Sequence, residues 1–539
     1  MRKATLTTAV AIAVGALVGS AAPVLAAPAD APFEVPERYA KQRIEWAPCL
    51  PDPLPPGLPP GSERLECGTF TAPMDWHDPE SGEDVTIAVS RLAAPGGDGR
   101  ALFTNPGGPG GAGLSMPLAL LQMGRTDLLA NFDVYGIDVR GTGASSTVSC
   151  GPQEYSPLDP KDRSPDNIRA MLGMAEGIAG DCQEHSGELG RHVTTEQTVA
   201  DLDLLRLVEQ REQVSWYGIS GGTWLGAYYA TYFPDSVERA VLDSNTQFTG
   251  SWQQVFGWQP LAIERRWRED LRPWLAEGDH AYGLGATPEA VQATVDRVRA
   301  ELKADPIPTP NGPLDHNAVD NLLVQSLYSK SSFDTYGRTM AELAAGAPTE
   351  QAVSALVATR TRQLPMQADP ADSMSATFYS IRCNDTAHRG GPGWAVANSE
   401  VQGRMFPTYG YHTINQPCAY WDRPDVQLKR PTGEGVVPVL MLQSENDMAT
   451  ATEGAKIAHH QFEGSRMVLV RDEGDHGVYG IGNTCVDDAV ERYLIDGVVP
   501  EQDLTCQGTG LPEPGAISAF GQGQASIWQN LEHFSDVLG

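Results

Sequence analysis

Val214-Ser215-Trp216-Tyr217-Gly218-Ile219-Ser220-Gly221-Gly222 is the stretch on which the reading of the chain turns. Val214 to Tyr217 has the composition of a buried strand and runs into Gly-x-Ser-x-Gly. Gly222 to Phe233 then reads as an apolar helix stopped by Pro234. A strand that turns abruptly into a helix lifts the serine hydroxyl clear of the sheet, and flanking glycines permit the close backbone contacts and strained dihedrals of such a turn. The helix N-terminus behind it favours developing negative charge. So short a pattern means little by itself, and the competing reading is a glycine-rich loop holding a bland serine. The strand before it and the helix after it make Ser220 the candidate nucleophile.

Outward from this point, strands and helices alternate. Asp84 to Arg91 alternates Val85, Ile87 and Val89 with polar partners, a strand pattern. Ala101-Leu102-Phe103-Thr104 is a short buried-type strand that ends in a glycine-rich loop, and Phe132 to Asp138 is another strand. Thr198 to Val208 reads as a helix with Val199, Leu202, Leu205 and Val208 on one face, and Ala240 to Asp243 is again strand-like. From about 246 to 430 the pattern becomes helical and irregular, with Trp252, Trp258, Trp267 and Trp274 recurring. Pro438 to Ser444 and Arg466 to Arg471 restore strands, separated by a helix from about Thr452 to Phe462.

Such alternation predicts a mostly parallel, doubly wound sheet with helices on both faces. With the serine turn, it predicts an α/β-hydrolase core carrying an inserted, mainly helical cap. The expected segments are 1–26 as signal peptide, 27–62 as a Pro/Ala-rich extension in which a propeptide is left open, 63–245 and 431–539 as the two parts of the core, and 246–430 as the cap. Two tandem domains are the competing layout, against which the return of β/α alternation after 435 speaks.

Arg2 and Lys3 followed by an apolar stretch from about Ala9 to Val18, with small residues at Val24-Leu25-Ala26, read as a signal peptide cleaved after Ala26. An N-terminal membrane anchor is the rival reading. The eight cysteines fit export to an oxidising compartment. Sequence does not fix their connectivity. Pairing neighbours closes modest loops, which gives Cys49–Cys67, Cys150–Cys182, Cys383–Cys418 and Cys485–Cys506 as the expectation. Close-spaced Cys or His pairs of the zinc-site kind are absent from the sequence, so no metal and no cofactor are expected. A net charge of −31 argues against nucleic acid or an anionic membrane as partner and suits a secreted, extracellular protein. A monomer is expected.

A serine hydroxyl needs a general base, and this fold orders the partners as Ser, then acid, then His. His476, in Gly474-Asp475-His476-Gly477 just beyond the Arg466–Arg471 strand, has that order and a loop setting. His459 and His460 fall on a predicted helix, and His388 and His412 in the cap. Asp447, in Ser444-Glu445-Asn446-Asp447, is the candidate acid, with Glu445 and Asp243 as rivals. An oxyanion hole needs two backbone N–H donors. Gly221 and Gly108, the latter in Asn105-Pro106-Gly107-Gly108-Pro109-Gly110-Gly111, are the candidates. A phosphate-cradling loop is the competing reading of these glycines, against which the absence of a following Gly-Lys-Ser/Thr speaks.

Gly107-Gly108-Pro109-Gly110 resembles the HGGPG loop of prolyl aminopeptidases, with Pro106 where their histidine stands, and Asp138 to Ser145 resembles their D-x-R-G-x-G-x-S segment. The secreted bacterial tripeptidyl aminopeptidases resemble the chain more fully: they share the NPGGPGGxG loop, Asp201-Leu202-Asp203, the serine turn, and S-E-x-D before G-x-H-G. That resemblance, over nearly the whole mature chain, implies a serine exopeptidase that releases tripeptides from free peptide or protein N-termini, some relatives preferring proline at the cleaved bond. It departs at Gly221, where the family commonly has an aromatic residue, and this is expected to widen the pocket near the scissile bond. Reading a free α-amine calls for an acid at a fixed distance from Ser220. Glu264 resembles a glutamate in related chains and is the candidate, against the alternative of an ordinary exposed helix acid. A secreted esterase or lipase-like hydrolase with the same triad, and a non-catalytic binding protein on the same fold, are the competing functions.

Overall fold

The computed structural model describes residues 32–516, apart from 98, 154, 311 and 362–371. The expected signal peptide 1–26, the first residues of the 27–62 extension and the tail from 517 lie outside the described residues. The strands are β1 (Ala47–Pro48), β2 (Leu65–Pro73), β3 (Asp84–Leu92), β4 (Arg100–Asn105), β5 (Phe132–Ile137), β6 (Val214–Ile219), β7 (Val237–Asp243), β8 (Val439–Ser444), β9 (Arg466–Arg471) and β10 (Leu504–Gln507). They form one sheet in the order β1-β2-β3-β5-β4-β6-β7-β8-β9-β10. The pairings at the β1–β2–β3–β5 end are antiparallel, and those from β5 through β4 to β10 are parallel.

The parallel part is buried on both faces, which is why its strands read as continuous apolar runs. Along β6 the alternation sorts the side chains: Val214 and Trp216 join the core on one face, Tyr217 and Ile219 the core on the other. The carboxyl ends of β4, β6, β7, β8 and β9 share one edge, where open α/β sheets place their ligands.

The predicted strands recur with small shifts at their ends; β6 extends to Ile219 and β7 begins at Val237. Sequence pattern did not single out β2, although it pairs with β3 along its whole length. Its burial alternates poorly, and it carries Gly68, where a Cβ would lie 2.4 Å from Ile44 Cγ2. The sequence there answers to an overlying chain and not to a strand period. The 27-residue helix Pro165–Arg191 was missed as well; a non-helical Gly187 interrupts it.

Between β7 and β8 the described residues form helices and a single isolated bridge, Ile307 with Leu314. This segment has its own core, in which Trp267 and Trp274 pack with Leu271, Leu275 and Tyr336. Trp252 belongs to the sheet-side core and stacks on Trp224 at 4.2 Å. The structure joins Cys49 to Cys67, Cys150 to Cys182, Cys383 to Cys418 and Cys485 to Cys506. Among the described residues no helix is long and apolar enough to cross a membrane.

One buried ion pair ties the sheet to its flanking helix. Arg140 follows β5, and its guanidinium meets both Asp201 oxygens at 2.7 and 2.6 Å while donating to the carbonyls of Met74 (2.7 Å) and Pro73 (3.1 Å). Trp76 Nε1 gives Asp201 a further bond at 2.9 Å. Removing one partner of such a pair strands the other without solvation. Asp201→Ala is therefore expected to destabilise the fold by about 3–5 kcal/mol, read as a lower urea midpoint. Arg140→Met/Asp201→Leu should recover part of that loss, since no unpaired charge stays behind.

Candidate active site

Ser220 occupies the turn between β6 and the helix Gly221–Tyr232 with φ 58° and ψ −120°. This left-handed backbone is unfavourable for a residue with a Cβ. Three hydrogen bonds hold it: Ser220 N donates to Asp243 O at 2.9 Å, and Thr223 donates to Ser220 O through its N (2.9 Å) and its Oγ1 (2.6 Å). The motif glycines are required by close approach. A Cβ on Gly218 would lie 2.3 Å from Gly222 O, and one on Gly222 would lie 2.6 Å from Asn105 O.

His476 and Asp447 come from the loops after β9 and β8. His476 Nδ1 lies 3.0 and 2.9 Å from the two Asp447 oxygens, and both residues are fully buried. Asp447 also accepts from Ala449 N (2.9 Å), Thr450 N (2.8 Å) and Thr450 Oγ1 (3.0 Å). Burial pushes its carboxyl up. The His476 charge and the hydrogen bonds from His476, Thr450 and Ser244 outweigh this and hold it below the usual carboxylate range. Asp447 therefore stays ionised, as an acceptor that can orient an imidazole and stabilise imidazolium.

The two rival acids are occupied elsewhere. Glu445 pairs with the half-exposed Arg471. Asp243 sits at the end of β7, where its carboxylate accepts from Val478 N (3.0 Å), Tyr479 N (3.0 Å) and Tyr217 Oη (3.2 Å). Burial raises its pKa to about 6 against the pull of those bonds. It anchors the chain just beyond His476.

Ser244, which sequence reasoning missed, joins these parts. Its backbone has φ 56°, and its N donates to Leu442 O in β8 at 2.9 Å. Its Oγ accepts from Gly477 N at 2.8 Å, and its side chain also bonds the Asp447 carboxyl. The only sequence signal was its place, directly after Asp243 at a strand end. Thr450 was missed too; besides Asp447 its hydroxyl faces His476 Nδ1 at 3.4 Å.

The glycine-rich loop after β4 lies directly against the serine turn. Asn105 Oδ1 accepts from Gly107 N at 2.9 Å, and a Cβ on Gly107 would lie 2.3 Å from Ile219 O and 2.6 Å from Gly221 N. Gly108 is as close: a Cβ on Gly221 would stand 3.0 Å from Gly108 N. Gly108 and Gly221, the expected oxyanion donors, are thus brought together. The expected widening at Gly221 takes a different form, because loop backbone fills the space a side chain would need. What remains beside Gly221 is a cavity of about 20 Å³ between Trp224, Trp252 and Pro109.

The helical segment between β7 and β8 packs on the His476 loop. His476 N donates to Tyr328 O at 2.9 Å, and the two rings meet edge-on at 5.4 Å. Asp475 accepts from Lys330 N (2.7 Å), Ser329 Oγ (3.1 Å) and Arg266 Nη2 (2.8 Å). A Cβ on Gly474 would collide with Arg266 Nη1 at 2.0 Å, which accounts for that glycine. Glu264 lies on the helix Gln259–Arg266, which also reaches the Asp447 loop through Gln259 Nε2 to Ala449 O at 3.1 Å. Glu264 is buried, against the alternative of an exposed helix acid; it pairs with Arg268 and accepts from Thr408 N at 2.9 Å. Among the described residues no group of three or more His, Cys, Asp or Glu is arranged to hold a metal.

Ser244→Ala removes the acceptor for Gly477 N and the bond to Asp447 while leaving Ser220, Asp447 and His476 in place. A lost hydrogen bond to a charged group is worth about 1.5–3 kcal/mol. Labelling of Ser220 by a fluorophosphonate is therefore expected to slow about tenfold or more, with the far-ultraviolet spectrum unchanged.

Comparison with known proteins fits this geometry. A family described as TAP-like protein matches residues 405–506, and the alpha/beta hydrolase fold family matches residues 101–277. The chain is 35% identical over 503 residues to the tripeptidyl aminopeptidase of Streptomyces lividans, covering 88% of this chain and 89% of that protein. It is 24% identical over 492 residues to serine protease Hip1 of Mycobacterium tuberculosis, covering 86% and 91% of the two chains. It is 26% identical over 477 residues to carboxylesterase B of Mycobacterium tuberculosis, covering 82% and 86%. With a serine turn, a buried Asp–His pair and a glycine loop on the carboxyl edge of an α/β-hydrolase sheet, the chain belongs to the tripeptidyl aminopeptidase family of serine peptidases.

Proposed function

We propose that this chain is an exported exopeptidase that removes tripeptides from free peptide N-termini through an acyl-enzyme on Ser220. The observation that carries the reading is the 2.9–3.0 Å contact between His476 Nδ1 and an Asp447 held ionised, on loops that meet the Ser220 turn through Asp243 and Ser244. His476 Nε2 takes the Ser220 proton as Oγ attacks the peptide carbonyl. The N–H groups of Gly108 and Gly221 receive the negative oxygen. His476 then protonates the leaving amine, and water repeats the sequence on the ester.

The helical segment 246–430 acts in this reading as a cap that admits extended N-terminal segments. Glu264 is the proposed receiver of the substrate amine; the helix that carries it also supports the Asp447 loop. Export is supported by the basic and apolar N-terminus in the sequence and by the four disulfides, which persist in oxidising compartments. The identity to a carboxylesterase favours one second reading, an esterase with the same triad.

One measurement tests Ser220 and a second separates the two readings. On a chromogenic tripeptide amide, Ser220→Ala is expected to lose at least about 10³-fold in kcat; activity within about tenfold of wild type would overturn the role of Ser220. N-acetylation of the same substrate is expected to abolish cleavage by the wild-type enzyme. Equal rates on the free and acetylated forms would favour the esterase.

A further inference from the structure

A cavity of about 780 Å³ lies beside the helix Trp252–Gly257, on the edge of the sheet that carries the candidate site. Its lining runs from Gln247, shortly after β7, to Arg382 in the last turn of the helix Ser373–Asp385. Packed side chains join the cavity wall to the surroundings of Ser220 at two points. Trp224, in the helix that Ser220 begins, stacks on Trp252, and Trp252 stacks on Phe256 in the cavity wall at 5.9 Å. The other end of the Ser373–Asp385 helix abuts the oxyanion loop, where a Cβ on Gly110 would lie 2.8 Å from Thr377 Cβ.

The charge of this cavity runs against that of the protein. The chain carries a net −31, yet the described residues lining the cavity include Arg382, Arg389 and Arg430 and no Asp or Glu. Arg382 is the unusual one. Its guanidinium stacks over Phe256 at 3.8 Å and Phe378 at 4.7 Å. It makes no ion pair or hydrogen bond with any described residue, and its Nε is sealed from solvent. Burial lowers its pKa to about 10, so it remains a cation at neutral pH. A part-buried charge without a counter-charge is unfavourable, and the ring contacts offset only part of that. Phe256 and Phe378 meet each other at 74° and so flank adjacent sides of the guanidinium, which leaves N–H groups for a planar, two-pronged acceptor.

We propose that this cavity is a subsite for bound peptide and that Arg382 receives a substrate carboxylate, either the C-terminus of a short peptide or an acidic side chain. The assignment rests on the peptidase reading of the site. Arg389 and Arg430, both exposed, add positive potential that draws such a group in.

The test uses peptides with one common N-terminal tripeptide: a hexapeptide acid, its C-terminal amide, and amides with Glu or Gln after the cleaved bond. Wild-type enzyme is expected to favour a carboxylate-bearing peptide over its neutral counterpart by about tenfold or more in kcat/KM. Arg382→Gln should erase that preference and keep activity on the neutral peptide within about twofold. Whether the preference follows the C-terminus or the Glu identifies the source of the carboxylate. Equal losses on all peptides, or an unchanged preference, overturn the assignment. Calorimetric binding of the same peptides to the Ser220→Ala protein reports on the subsite without turnover. Absence of cleavage would then defeat the peptidase reading alone, and equal affinity for acid and amide would defeat the Arg382 assignment even if R382Q does not fold.

Discussion

Asp243 and Ser244, two adjacent residues at the end of β7, hold the candidate site in register. The Asp243 carbonyl accepts from Ser220 N, and its carboxylate fixes the N–H groups of Val478 and Tyr479. The Ser244 hydroxyl fixes Gly477 and bonds the Asp447 carboxyl. Loops that follow three different strands are thereby referred to one point on the central strand of their group. Hydrogen-bond reach tolerates errors of only a few tenths of an ångström. A buried dipeptide on a rigid strand meets that tolerance better than three independent loops would.

Ser220 and Ser244 both have left-handed backbones, each unfavourable by about 1–3 kcal/mol. The surrounding contacts over-determine them. At Ser220 the strain is held by Thr223 from one side and Asp243 from the other, with the Asn105–Gly107 loop packed so tightly over the turn that side chains are excluded. The same closeness brings Gly108 against Gly221. The glycines of this region are therefore explained by backbone meeting backbone, and only secondarily by flexibility.

Several residues that carry the family resemblance serve the scaffold. Asp138 gathers the N–H groups of Gly113, Leu114 and Ala144 and so fixes the exit of the glycine loop. Burial raises its pKa against those bonds. Arg140 and Asp201 lock the sheet to a helix, and Gly474 makes room for Arg266. These residues set where the chemistry sits while touching none of the candidate catalytic atoms.

The sequence by itself determined the parallel centre of the sheet and the order of the site. The strands β4, β6, β7, β8 and β9 are short apolar runs buried on both faces, so hydrophobicity alone marks them, and the Ser220 turn carries its glycines in a fixed local spacing. Asp447 and His476 were legible because each follows such a strand. What the sequence left open depends on contacts between distant segments. It favoured Asp447 over Asp243 and Glu445 by order and spacing alone, since all three are acids near strand ends; the structure adds the hydrogen bonds each one accepts. Thr450 and the orphaned guanidinium of Arg382 have no local signature, and Ser244 has only its place after Asp243. Their roles come from what the fold lays beside them, and a serine, threonine or arginine has no such role until desolvation and neighbours give it one.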